Sequence, residues 1–185
     1  GFDTSGVTHM GNMFTRCKNV KSLDVSNWDT SNVTNMYWMF EDLESLTELN
    51  IGNFDTSKVT TMNGMFFSCY LLENIDVSNF NTSNVKSMNA MFMACTSLTS
   101  LDLSSWDTSS LESVIEINSG GIVGGMFEKC YDLKTITVKS GTDWSSMPDE
   151  TNRMFRGCNS LKGENNTAYS EEHSGAEYAR VDGGT

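Results

Sequence analysis

The sequence predicts a right-handed α/β repeat solenoid, with a short parallel β-sheet on one face and short helical turns on the other. Two observations carry this expectation. A Phe/Trp-Asp-Thr-Ser tetrapeptide, or a close variant, starts at Phe2, Trp28, Phe54, Phe80 and Trp106, each 26 residues after the last. The pair Met-Phe keeps fixed phase with it, at Met13, Met39, Met65 and Met91, and then at Met126 and Met154. A strict period of this length marks one supersecondary unit stacked on copies of itself.

Each element of the unit has its own signal. Leu23 and Val25 alternate with Ser22, Asp24 and Ser26, the period of a strand with one buried face. Leu49/Ile51, Ile75/Val77, Leu101/Leu103 and Ile136/Val138 repeat the pattern, and Val20, Leu46, Leu72, Leu98 and Leu133 precede it. A large ring follows, Trp28 in the second unit, where the chain must turn. Asp29-Thr30-Ser31 comes next, with side chains able to bond nearby backbone N–H groups and close the corner. Val33, Met36, Met39 and Phe40 then form one apolar stripe, read as a short helical turn, and Leu43 and Leu46 lead to the next strand. One unit cannot bury its stripe alone, so stability must come from nearest-neighbour stacking. Strands about 4.8 Å apart would give about six coils a sheet roughly 25–30 Å long.

Residues 1–161 are expected to form this solenoid of about six coils, and residues 162–185 a C-terminal cap or tail. Leu111 and Met126 lie 15 residues apart where Val85 and Met91 lie six apart, which places an insertion near 112–125. Its Ile115, Ile117, Ile122 and Val123 surround Ser119-Gly120-Gly121, a hairpin pattern. Such an insertion is either a binding surface or a tolerated surface loop. Near 139–153 the spacing slips, and Asp143-Trp144-Ser145 replaces the usual corner, so a degenerate coil is expected there. The chain opens in mid-repeat, and further repeats or a leader are expected upstream.

Composition narrows the partners. The 185 residues carry a formal net charge of -12 and no basic patch, which argues against nucleic acid and anionic membrane surfaces. No apolar run reaches the length of a membrane span, so no membrane insertion is expected in this segment, and a monomer is expected.

Little in the repeat looks like chemistry. Cys17, Cys69, Cys95, Cys130 and Cys158 each sit four residues after the Met of Met-Phe, and Leu43 takes that place in the remaining copy. A position that accepts Cys or Leu is a small apolar core slot, so free buried thiols are expected, although stacking would bring Cys69 and Cys95 near disulfide range. Two histidines, His9 and His173, and no Cys-x-x-Cys spacing argue against zinc. The periodic methionines read as core filling rather than a copper site. Asp24, Asn50, Asp76, Asp102 and Thr137 form an outward column, read as exposed polar surface or, alternatively, as a calcium or polar-ligand ladder. The Asp-Thr-Ser corners form a second column, read as turn closure rather than an ice or glycan surface. No Ser-His-Asp constellation, phosphate loop or nucleotide fingerprint is present, so no catalytic residue and no cofactor is expected.

Residues 98–106 with Asp107-Thr108-Ser109, and residues 72–95, resemble the 26-residue unit of the BspA-like leucine-rich-repeat surface proteins of bacteria. That unit reads approximately Leu-x-x-Leu-Asp-Leu-Ser-x-Phe-Asp-Thr-Ser-x-Val-x-x-Met-x-x-Met-Phe-x-x-Cys. The resemblance covers residues 1–112 in register and 126–138 and 154–161 more loosely, and the tail from Tyr178 to Gly184 also looks like that family's ending. It implies export, display on a bacterial cell surface, and adhesion to host or neighbouring cells through a protein or glycan partner. The expected binding face is the outward side of the strands: Ser22, Asp24, Glu48, Asn50, Asn74, Asp76, Ser100, Asp102 and Thr135. The alternatives are a structural spacer or antigenic stalk without a specific ligand and, more remotely, an enzyme domain.

Overall fold

The structure, a computed structural model, describes residues 2–112, 124–139, 153–162, 170 and 174. The expected hairpin at 113–123, residues 140–152 of the degenerate coil, and nearly all of the C-terminal tail lie outside the described residues.

Four short strands are present: β1 (Ser22–Asp24), β2 (Glu48–Asn50), β3 (Ser100–Leu103) and β4 (Thr135–Val138). They form two separate parallel pairs, β1 with β2 and β3 with β4. In register, Ser22 faces Glu48 and Asp24 faces Asn50, while Ser100 faces Thr135 and Asp102 faces Thr137.

This corrects the expected α/β solenoid in both of its parts. No helix occurs among the described residues. Nor does one sheet run through all the units, because Asn74–Asp76 of the third unit joins neither pair. Ladders three or four residues long carry too few hydrogen bonds to hold a sheet together by themselves.

The apolar stripe fails to become helical for a reason visible in its hydrogen bonds. In the third unit, the N–H groups of Met62, Gly64, Phe66 and Ser68 donate to Ser87, Asn89, Met91 and Met93 of the next unit, at 2.8–2.9 Å. The N–H groups of Met65, Phe67 and Cys69 between them turn back three residues, to Met62, Gly64 and Phe66. An α-helix would send every N–H back four residues. Here the donors alternate between the local turn and the neighbouring unit. The alternation requires left-handed backbone at two places per unit. Asn12, Trp38, Gly64 and Ala90 take one, with φ between 53° and 59°. Arg16, Asp42, Ser68, Ala94, Lys129 and Gly157 take the other, with φ from 54° to 82°. A residue in that region ends a right-handed helix.

The core is the stripe itself. Met36, Met39, Phe40, Met65, Phe66, Met91, Phe92 and Phe127 are completely buried. Phe14, Phe40, Phe66, Phe92, Phe127 and Phe155 stack as one column of near-parallel rings, with successive centroids 5.3–5.9 Å apart. Each such aromatic pair adds about 0.5–1.5 kcal/mol beyond the area it buries. The insertion leaves this core in phase. Phe92 N–H reaches Met126 O at 2.9 Å and Ala94 N–H reaches Glu128 O at 2.7 Å, as the bonds of earlier units do. Among the described residues no helix is long and apolar enough to cross a membrane.

Candidate functional site

All nine residues expected on the binding face are exposed. Seven stand on β1 to β4, and Asn74 and Asp76 lie in irregular chain between the two pairs in sequence. The alternation that exposes them leaves Val25, Ile51, Val77, Leu101 and Leu103 buried, while Leu23, Leu49 and Ile75 are half-buried.

The aspartates of this face already have work within the chain. Ser26 N–H donates to Asp24 Oδ1 at 3.0 Å, Ser78 N–H to Asp76 Oδ1 at 3.0 Å, and Ser104 N–H to Asp102 Oδ1 at 2.9 Å. Gly52 N–H makes the same bond to Asn50 Oδ1 at 3.3 Å. Each residue therefore closes the turn that follows it. Hydrogen bonds from the Ser26, Ser78 and Ser104 side chains, then from their backbones, hold the three carboxyls below the ordinary range. The charged form is the one these donors favour. The calcium reading of the column gains no support from this geometry. Among the described residues no three His, Cys, Asp or Glu side chains converge on one point.

The Asp-Thr-Ser corners divide their labour. Ser31 N–H donates to Asp29 Oδ1 at 3.0 Å and Ser57 N–H to Asp55 Oδ1 at 2.9 Å, which is turn closure. The threonines, however, point inward. Thr30, Thr56 and Thr82 are 1–2% exposed. Thr56 Oγ1 accepts from Asn81 N–H at 2.8 Å and donates to Asn81 O at 3.0 Å, so one hydroxyl satisfies both backbone groups of a residue in the next unit. Thr30 does the same for Asp55, and Thr82 for Asp107. The column is an internal seam and offers no surface to a ligand.

The cysteines are free, four of them buried and Cys17 exposed. Each buried thiol donates to the carbonyl of the Met-Phe phenylalanine one unit back: Cys69 to Phe40, Cys95 to Phe66, Cys130 to Phe92 and Cys158 to Phe127, at 3.0–3.2 Å. The step in sequence is 29 residues for Cys95 and 38 for Cys130, so the insertion adds nine without displacing the contact. Burial pushes the Cys69, Cys95 and Cys130 thiols well up, and Cys158 to about 12. These thiols stay protonated at neutral pH and are poor nucleophiles.

One polar surface escaped the sequence reading. Parallel bridges join His9 to Asn35, Asn35 to Thr61, and Thr61 to Ser87, a ladder through four units. Beside it, Tyr37 lies 37% exposed against Gly11, where a Cβ would come within 2.5 Å of the ring. The signal was available: a polar residue stands just before Met10, Met36, Met62 and Met88. It was hidden because a helical reading of the stripe assigns those positions no common face.

The fold and these surfaces define a tandem-repeat protein whose 26-residue units bond edge to edge and present the same polar positions in each. The chain belongs to the family described as "Mycoplasma protein of unknown function, DUF285", whose model matches residues 1–49 and 44–169. No curated protein and no solved structure matches it.

Proposed function

We propose that the chain is a non-enzymatic binding module of an exported bacterial surface protein, akin to the BspA-like leucine-rich-repeat proteins in its repeat motif. It works as a monomer outside the cell and adheres to a host or neighbouring-cell protein or glycan. The face it uses carries Ser22, Asp24, Glu48, Asn50, Asn74, Asp76, Ser100, Asp102 and Thr135. The observation that favours this reading is that all nine are exposed while apolar neighbours such as Val25, Ile51, Val77 and Leu103 are buried. Polar positions held outward at a fixed period suit an extended contact better than a single reaction centre.

The test is binding of the labelled chain to an array of matrix proteins, mucins and glycans, with and without calcium. Saturable binding at micromolar affinity or better is expected, on the order of -8 kcal/mol. The double substitution Asp76→Ala, Asp102→Ala should weaken it, with a modest fall in melting temperature because Ser78 and Ser104 lose the acceptors that close their turns. A blank array would favour the spacer reading instead.

A further inference from the structure

The surface beside Tyr37 has a chemistry different from that of the strand face. It is uncharged at its centre, although the chain as a whole carries -12. Asn35, Thr61 and Ser87 occupy the bridge ladder, and Asn63 follows Tyr37 in the next unit, since Trp38 N–H bonds Asn63 O at 2.8 Å. The charges that flank it lie at one margin, where Lys86 pairs with Glu112 at 2.9 Å, and His9 ends the ladder at the other.

The amides here are oriented before any ligand arrives. Asn63 Oδ1 accepts from both Ser87 Oγ and Asn89 N–H. Asn35 Oδ1 accepts from Tyr37 N–H at 3.0 Å. With each Oδ1 held by donors, each Nδ2 is fixed as a donor, and neither Nδ2 has a partner among the described residues. The Tyr37 ring rests on Gly11 and keeps an exposed side. An apolar ring face on one ladder with fixed amide donors matches a sugar, which offers C–H faces and neutral oxygens together.

We propose that Tyr37, Asn35, Asn63, Thr61 and Ser87 form a second binding surface, specific for a neutral oligosaccharide and separate from the strand face. The ring stacks on one pyranose, and the Asn35 and Asn63 amides donate to oxygens of the oligosaccharide.

The experiment uses the intact chain and an array of neutral hexose and N-acetylhexosamine oligosaccharides, followed by titration calorimetry on any hit. Saturable binding is expected for at least one. Tyr37→Ala should weaken it about tenfold or more. Asn63→Asp keeps the acceptor for Ser87 and Asn89 while removing the outward donor, and should weaken binding to a similar degree with the melting temperature preserved. The Asp76→Ala, Asp102→Ala variant should bind these sugars as the parent does. Absence of saturable binding overturns the proposal, as does binding that survives both Tyr37→Ala and Asn63→Asp. Loss of sugar binding in the Asp76→Ala, Asp102→Ala variant alone would place the sugar on the strand face and overturn this surface while supporting the other.

Discussion

The thiol of Cys95 donates to the carbonyl oxygen of Phe66, 3.1 Å away in the preceding unit. The same oxygen also receives a neighbouring bond, from Cys69 N–H at 3.2 Å. The carbonyls of Phe14, Phe66, Phe92, Phe127 and Phe155 each have a turn donor in their own unit, and those of Phe40, Phe66, Phe92 and Phe127 receive a thiol from the next. This explains why cysteine recurs in a slot that Leu43 also fills: leucine supplies the volume, and cysteine supplies the volume with a weak donor.

A thiol reagent should therefore find one fast site per native chain, Cys17, and four more after denaturation. Ellman titration counts them directly. Two or more fast thiols, or a disulfide found by mass spectrometry, would contradict the arrangement. The buried thiols also set an alkaline limit. Their folded pKa values lie above the ordinary 9.0, with Cys158 at about 12. The unfolded chain loses these protons first, so the stability they contribute is complete below pH 9 and falls as pH rises from about 9 through about 12. Cys158→Ala should flatten that fall relative to the parent in pH-dependent melting.

Thr56→Val should be costly despite its equal size. It strands the N–H and C=O of Asn81, both bonded to the one hydroxyl. A fully buried unsatisfied group costs about 1–3 kcal/mol; Asn81 is exposed and these bonds are part-buried, so the lower end, roughly 2 kcal/mol for the two groups, is expected from denaturant titration. Thr56→Ser should recover most of it. A neutral valine would mean the seam is not hydrogen-bonded.

Lys129 is exposed and left-handed, with φ 64°, and its counterpart in the next unit is Gly157 with φ 82°. Lys129→Gly should raise stability by about 1 kcal/mol, since glycine enters that region without a Cβ penalty. In a helical turn the same change would lower stability by a similar amount. The sign of the shift in denaturation midpoint decides between the two backbones.

Phe66 is fully buried and stacked on both sides, against Phe40 at 5.6 Å and Phe92 at 5.3 Å. Phe66→Ala should cost about 3–5 kcal/mol. Ile75 is only half-buried, so Ile75→Ala should cost clearly less. Equal losses in thermal or chemical unfolding would show that burial does not rank these positions.

Much of the packing was legible in the order of residues. The period of 26 identified which residues are equivalent, and the apolar ones among them, Met39, Phe40, Val33 and Leu46, are buried as the pattern implies. The outward strand residues were legible too, because alternation of apolar and polar side chains has one reading on an extended chain. The sequence alone thus determined the repeat, its core positions and its exposed polar face.

The backbone of the stripe was not legible. Spacings of three, three and one at Val33, Met36, Met39 and Phe40 suit a helical turn, yet they also suit a ribbon whose donors alternate between its own turn and the next unit. Only the neighbouring unit decides between them, because it supplies the carbonyls at Asn63 and Met65 that receive the Trp38 and Phe40 N–H groups. Once those bonds cross, the chain must enter the left-handed region at Trp38 and Asp42, and a helix is excluded. The inward threonines and the Tyr37 surface follow from the same cause. Their partners lie about one full repeat away, beyond the reach of any local pattern.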